Sequence, residues 1–246
     1  MSLNPYETRR YLEEYLLFHY GRPRELCPYQ FIPSALLSFH QRLRREYLPR
    51  VQTRQPTRAL DLGCAVGRFT FELASVAGDA LGIDNSSSFI RTARRIAQQH
   101  RLFVQVRESG KALSRRKLTL PESLRRAGVQ FETGDATNLR KFADGSFHYV
   151  AAINLIDRLP CPRRFLLEVP RLLAAGGLLI MASPFTWLEE YTPAREWLSI
   201  QQVQTLLGRE LRLMKQGDLP FVIREHQRKY QLVVARVFTF GRPDRR

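Results

Sequence analysis

An α/β fold on a mostly parallel sheet is what this chain predicts, and three observations carry the prediction. From residue 57 onward, short apolar runs alternate with amphipathic stretches, as strands and crossover helices do. The first strand runs into a turn of small residues, Asp61-Leu62-Gly63-Cys64-Ala65-Val66-Gly67, before a helix begins. The chain closes on a long apolar run at 230–240 that pairs in pattern with a shorter one at 211–215, an antiparallel finish.

The elements follow in order. Residues 7–20 carry Tyr11, Leu12, Tyr15, Leu16, Phe18 and His19 as an apolar stripe at helical spacing, and Gly21-Arg22-Pro23 stops it. A second helix is expected from about Ser34 to Tyr47, ended by Leu48-Pro49, with a polar connector at 52–56. We read residues 1–50 as an N-terminal helical lid and 51–246 as the main domain. Strands are expected at 58–62, 80–84, 129–132, 147–154 and 178–183. Helices are expected at 68–77, from the serine turn Ser86-Ser87-Ser88 to about His100, at 162–173 and at 200–207. Residues 101–127 read as an irregular basic insertion with one strand at 102–107.

Composition sets outer limits. At 246 residues with 44% hydrophobic content the chain can bury a full core. No apolar run approaches the roughly 20 residues of a membrane span. The N-terminus lacks a signal-peptide pattern. Cys27, Cys64 and Cys161 are far apart and odd in number, which suits neither a disulfide framework nor a metal site. A cytoplasmic protein is expected. The net charge of +16 invites an acidic partner, yet only five of the 39 basic residues are lysines and the arginines are scattered. Such arginine use fits a genomic coding bias as well as nucleic-acid binding.

The turn is the centre of the candidate site. Gly63, Cys64, Ala65 and Gly67 after Asp61 let backbone approach a ligand closely. Asp84, with Asn85 beside it, ends the second strand 23 residues after Asp61, where an acid accepts from ribose hydroxyls. Asp135 ends the third strand; its carboxylate suits an adenine amino group, and the Ala136 N–H a ring nitrogen. Asn154 ends the fourth strand, beside the point where strand order reverses. Three consecutive strand ends thus carry polar groups suited to one adenosine-containing ligand. Cys64 reads as a small residue chosen for backbone approach rather than as a reactive thiol.

This order, D-x-G-x-x-x-G, then an acid, then Gly134-Asp135, resembles class I S-adenosylmethionine-dependent methyltransferases over about residues 57–240. The resemblance implies a Rossmann-like fold with a seven-stranded sheet, and S-adenosylmethionine as cofactor. Asn154-Leu155-Ile156-Asp157 lacks the [DN]-P-P-[YF] signature of many nucleobase-amine methyltransferases. The flanking segments Asn4-Pro5-Tyr6-Glu7-Thr8, Glu14-Tyr15-Leu16-Leu17-Phe18-His19-Tyr20-Gly21, Ser183-Pro184-Phe185-Thr186-Trp187-Leu188-Glu189-Glu190 and Gly217-Asp218-Leu219-Pro220-Phe221-Val222-Ile223-Arg224-Glu225-His226 are similar to the methyltransferase domain of ovothiol biosynthesis. Phe69-Thr70, Asn85 and Thr137 depart from that family's pattern.

The second resemblance implies methyl transfer to the side-chain-proximal imidazole nitrogen of 5-thiohistidine, giving ovothiol A. It also implies a separate sulfoxide synthase as functional partner. Asp157, Glu190 and His226 are candidate bases. Tyr6, Tyr15, His19, Asn154, Trp187 and Tyr191 are candidate acceptor contacts. Arg224 is expected to clamp the acceptor's carboxylate, and Glu189, Glu190 or Glu225 to meet its ammonium. No metal is expected. Two other readings stand beside this one: an RNA or other nucleic-acid methyltransferase, and a non-catalytic S-adenosylmethionine-binding regulatory module.

Overall fold

The computed structural model describes residues 5–51, 57–125 and 128–244. The connector expected at 52–56 and the end of the insertion, 126–127, lie outside them. In chain order come α1 (Arg9–Tyr20), α2 (Pro23–Leu26), α3 (Phe39–Tyr47), β1 (Thr57–Leu62), α4 (Arg68–Ala77), β2 (Gly78–Asp84), α5 (Ser87–Gln99), β3 (Arg101–Ser109), β4 (Ala112–Thr119) and β5 (Gly128–Thr133). They are followed by β6 (Phe147–Ile153), α6 (Pro162–Glu168), β7 (Leu173–Ser183), α7 (Ile200–Leu207), β8 (Arg212–His226) and β9 (Lys229–Gly241).

The main sheet has seven strands in the order β5-β2-β1-β6-β7-β9-β8. β5, β2, β1, β6 and β7 pair in parallel, and β9 runs antiparallel to both β7 and β8. Both faces are covered, so the strands read as continuous apolar runs. Leu60, Leu62, Val150, Ala152, Leu179 and Met181 pack on α6 and α7 through Phe165, Leu166, Val203 and Leu207. Ala59, Tyr149, Ala151, Ile180 and Ala182 face Leu43, Phe69 and Leu73 of α3 and α4.

Register places the site. Leu62 lies opposite Ile83 and Ala152, and Asp84 opposite Thr133. The strand ends that carry polar groups therefore share one edge of the sheet. Strand order reverses between β1 and β6, which is where ligands of such sheets collect.

Several elements differ from expectation for physical reasons. The insertion is not irregular: β3 and β4 form a two-stranded ribbon. Leu102, Val104, Val106 and Leu118 point inward against α1, α5 and Val222 of β8, a period-2 pattern masked by the intervening arginines. The second N-terminal helix is split, with a 3-10 turn at Ser34–Leu37 and a break at Ser38 before α3. The helix from 162 stays α-helical only to Glu168; Pro170 has no N–H to donate, and Val169–Leu172 tightens to 3-10. The final hairpin is far longer than expected, taking in residues 217–226. Pro220 is tolerated there because β8 is an edge strand.

The N-terminal helices pack on the site side of the domain. α1 is capped by Thr8, whose side chain accepts from Tyr11 N, and it buries Leu16, Leu17 and Tyr20. The Tyr20 hydroxyl donates to Val66 O at 2.8 Å, tying α1 to the turn after β1. Among the described residues no helix is long and apolar enough to cross a membrane.

Candidate active site

The turn after β1 is held open by backbone geometry. Gly63 N and Cys64 N donate to Ile83 O at 2.8 and 3.0 Å, pinning the turn to β2. Gly67, at φ +86°, starts α4 from a conformation that side chains resist, and a Cβ there would meet the Phe131 ring at 2.6 Å. Gly82 serves a different need: a Cβ would lie 2.8 Å from Thr70 Oγ1 and 2.9 Å from Cys64 Sγ, so only glycine lets both reach over β2.

Two carboxylates sit under this turn. Asp61 is buried and accepts from Thr70 Oγ1 at 2.6 Å; burial pushes its carboxyl up to about 7. Asp84 accepts from Ala65 N and Ser86 N, each at 2.9 Å, and burial pushes it up to about 6. Its remaining lone pairs are what a diol would use. Ser86 Oγ caps α5 by accepting from Phe89 N at 3.2 Å. Burial holds the Cys64 thiol well above its usual range, so it is not a thiolate.

At the neighbouring strand ends, Asp135 is exposed and accepts from both Thr137 N and Thr137 Oγ1 at 2.7 Å. Thr137, a departure from the ovothiol pattern, thus acts as this turn's local tie. Ala136 is buried and Asn85 exposed. Asn154 adopts φ +52°, donates from its N–H to Ala182 O at 2.8 Å, and keeps Oδ1 buried without a hydrogen-bond partner. A buried acceptor left unmatched marks a place where a ligand donor belongs.

Beside Asp84 lies a cluster of aromatic rings. Tyr6 packs against Tyr15, Phe89 and Tyr191 with ring centres 5.9, 6.0 and 6.2 Å away. Its hydroxyl lies in hydrogen-bonding reach of Arg158, Tyr15 and Tyr191. Burial raises the Tyr6 and Tyr15 phenols, so both are neutral donors. The Tyr6 carbonyl accepts from Ser86 Oγ and Ser88 Oγ at 3.2 and 3.3 Å, strapping the N-terminal segment across the start of α5.

Other candidates are engaged elsewhere. Asp157 is buried, and its oxygens accept from Ser183 Oγ at 3.1 Å and Arg158 at 2.9 Å. Trp187 donates to Leu198 O at 3.2 Å and packs on the core. Glu189 and Glu190 are exposed. His19 is buried against His40, ring centres 4.3 Å apart; burial lowers it to about 3, keeping it neutral. It packs behind Tyr15, ring centres 5.9 Å apart, with Nδ1 buried and without a hydrogen-bond partner.

The expected carboxylate clamp also needs correcting. Arg224 is buried and donates to Glu25 O at 2.9 Å, to Arg107 O and to the Glu108 carboxylate, joining β8 to α2 and the ribbon. Glu225 meets Arg10, Lys229 and Gln231, and His226 Nδ1 accepts from Arg228 N at 3.2 Å. Both terminal nitrogens of Arg224 are thus spent on the chain itself, and its buried Nε lies away from the ring cluster and the turn, so it ties elements together rather than facing the cofactor site. Arg224→Ala is expected to cost about 2 kcal/mol, roughly 4–8 °C in Tm. Differential scanning calorimetry and acceptor titration together check this: a raised acceptor KM with unchanged Tm would return Arg224 to substrate binding.

Two residues were missed from the sequence. Thr70 looked like a mere departure from pattern, yet it is the hydrogen-bond partner of Asp61. Arg158 was passed over although it follows Asn154 by four positions on the same strand-end loop.

A profile of the methyltransferase domain family matches residues 60–181, which takes in the turn, Asp84, Asp135, Asn154 and Arg158. The chain carries an S-adenosylmethionine-dependent methyltransferase domain. The cradle fits that cofactor: Gly63 and Gly67 give backbone approach, Asp84 an acceptor for hydroxyls, and Asn154 Oδ1 an acceptor for an N–H. This methyltransferase is 26% identical over 149 residues to a ubiquinone biosynthesis O-methyltransferase of Methylococcus capsulatus, a match covering 61% of the chain. That match spans about half of the curated relative's length, 52%. Among solved structures it is similar to an S-adenosylmethionine-dependent methyltransferase from Methanosarcina mazei (TM-score 0.54, 19% identity, 78% of this chain and 95% of that one). It is also similar to the N-methyltransferase NodS from Bradyrhizobium japonicum (TM-score 0.53, 18% identity, 83% and 94%). At such identities the structural likeness speaks for the class I fold.

Proposed function

We propose that this methyltransferase acts on the side-chain-proximal imidazole nitrogen of 5-thiohistidine, giving ovothiol A. The observation that carries the reading is the ring cluster of Tyr6, Tyr15, Phe89 and Tyr191 beside Asp84; its rings pack on one another, and in this reading Tyr6 swings aside to leave a chamber for a small heteroaromatic. The likeness of the segments around Tyr6, Tyr15, Trp187 and Arg224 to the ovothiol domain supports it. In this reading residues 1–50 form a lid whose Tyr6 strap closes the chamber.

S-adenosylmethionine supplies a sulfonium methyl; the chain's own residues bind and align the acceptor. A neutral imidazole nitrogen already carries the attacking lone pair, so alignment matters more than proton removal. A phenol oxygen of Tyr6 or Tyr15 that accepts from the N–H of the other ring nitrogen fixes the tautomer in which the attacking nitrogen keeps its lone pair free. With Asp157 committed to Ser183 and Arg158, a base of the kind Glu190 or His226 would provide is not needed before methyl transfer. A separate sulfoxide synthase would supply the sulfur-bearing substrate, and a cytoplasmic location suits a thiol product.

A second reading rests on the ribbon. Phe103 is exposed on its outer face, beneath the Arg115 guanidinium at 4.1 Å, among Arg101, Arg107 and Lys117. Such a face suits nucleic acid and favours an RNA methyltransferase. Incubation with methyl-labelled S-adenosylmethionine and 5-thiohistidine, histidine, a dihydroxybenzoate or bulk RNA, in separate tubes, decides between them. Label is expected on 5-thiohistidine; label on RNA or on the phenol alone overturns the proposal. Tight cofactor binding with no labelled product on any would favour a regulatory module.

A further inference from the structure

We infer that Arg158, not Arg224, is the fork that grips the carboxylate of the amino-acid acceptor. The inference rests on the acceptor proposed above and gives it a handle.

Arg158 is held along one edge by the chain itself. Its Nη1 donates to Asp157 O at 2.8 Å, Asp157 Oδ2 at 2.9 Å and Thr186 O at 2.7 Å, which more than occupies the two hydrogens of that nitrogen. Asp157 is in turn fixed by Ser183 Oγ, which also accepts from Phe185 N at 3.0 Å. The guanidinium is thus oriented by a buried carboxylate and by both strand-end loops, after β6 and after β7. Its Cζ lies 5.2 Å from the centre of the Tyr191 ring, and its side chain is 24% exposed.

What remains for a ligand is the Nε–Nη2 edge, and the Tyr6 hydroxyl is a hydrogen-bond partner of this guanidinium. A phenol is a neutral partner. A carboxylate entering there makes two parallel charge-assisted bonds where the phenol makes one, and the freed hydroxyl can donate to the same anion. The charged groups around it are few. Asp157 holds the opposite edge, and Asp84 lies beyond Tyr15, committed to Ala65 and Ser86. The ring cluster then takes the acceptor's ring while the fork takes its carboxylate, so the two ends of a small amino acid are fixed at once. That two-point hold is what sets one ring nitrogen, rather than the other, toward the methyl group.

The other carboxylate that could use the fork is that of S-adenosylmethionine, and the experiment separates the two. Calorimetry measures S-adenosylhomocysteine binding to the wild type, Arg158→Gln and Arg158→Lys. The S-adenosylhomocysteine-loaded proteins are then titrated with histidine against histamine and with 5-thiohistidine against its decarboxylated analogue, and methyl transfer from S-adenosylmethionine to the latter pair is timed. The expected result is a cofactor Kd changed less than threefold. Affinity and KM for the carboxylate-bearing ligands worsen at least tenfold in Arg158→Gln and less in Arg158→Lys, with a loss at least fivefold smaller for the decarboxylated partners. Weakened cofactor with unchanged acceptor preference assigns the fork to S-adenosylmethionine and overturns the inference. So do equal losses for both members of each pair, or a wild type that does not prefer the carboxylate. Absence of methyl transfer to 5-thiohistidine by the wild type defeats the proposed function, whereas the histidine–histamine preference still tests the fork. Melting temperature reports whether either variant has unfolded the loops.

Discussion

Replacing Asp84 is expected to weaken S-adenosylmethionine binding by at least a hundredfold. Hydrogen bonds to a charged group are worth about 1.5–3 kcal/mol each, and two ribose hydroxyls facing one carboxylate make a loss of about 3–4 kcal/mol. Asp84→Asn is the cleaner variant, because an amide oxygen still accepts from Ala65 N or Ser86 N. The same group sets a pH dependence. Its carboxyl sits at about 6 in the free protein, so affinity falls as pH drops through that value and the acceptor becomes a donor. Stability moves the other way. The folded value lies above the unfolded one near 3.9, so the contribution is full below about pH 4 and is lost as pH rises through 6. Asp84→Asn should therefore lose the part of the pH dependence of melting temperature between about pH 4 and 7 that the wild type shows in the absence of cofactor. Unchanged affinity by calorimetry, or affinity flat from pH 5 to 8, removes Asp84 from the site.

Breaking the Arg68–Glu72 pair is expected to give the largest loss of stability. The two side chains are 7% and 5% exposed and meet at 2.7 Å on α4, with Arg68 also donating to His19 O at 3.3 Å. Removing one partner strands the other charge in the interior. Arg68→Met should cost about 3 kcal/mol, roughly 6–12 °C in Tm. Arg44 approaches Glu72 at 3.4 Å from a more exposed position and offsets only part of the loss. Replacing both partners, Arg68→Met with Glu72→Leu, should recover most of it, since a buried pair and a well-packed apolar pair are often similar in stability. A double variant as unstable as the single would mean that packing around α4, and not the unpaired charge, sets the loss.

Much of the sheet was legible because its signals are local. The helix at 68–77 and the helix at 200–207 are bounded by Gly67, Gly78 and Ser199, whose turn and cap preferences do not depend on tertiary contacts. The strand-end rule put Asp84, Asp135 and Asn154 on one edge, and the register of β1, β2, β5 and β6 brings those strand ends to one edge of the sheet. What was not legible depended on long-range partners. Arg224 and Glu108 are 116 positions apart, and nothing near either one announces the pair. The ribbon at 101–119 buries only one face, and its outer face is so rich in arginine that the alternation is diluted. His19 shared a helical stripe with Tyr15, and helical spacing alone did not say which of the two would reach the chamber. Whether a side chain four residues along the same helix meets the site or the core is settled by what packs against it.

The long outer strand β8 carries one more consequence, for the behaviour of the protein at high concentration. A 15-residue strand at the rim of a sheet is a template on which a second copy could add its own strand. Here Pro220 interrupts the row of N–H groups, and register shifts at Leu213/Lys215 and Arg224/His226 bend the strand at both ends. Lys215 adds a charge near one bend, its Nζ donating to Glu46 O at 2.6 Å. These interruptions guard the rim against strand-by-strand polymerisation.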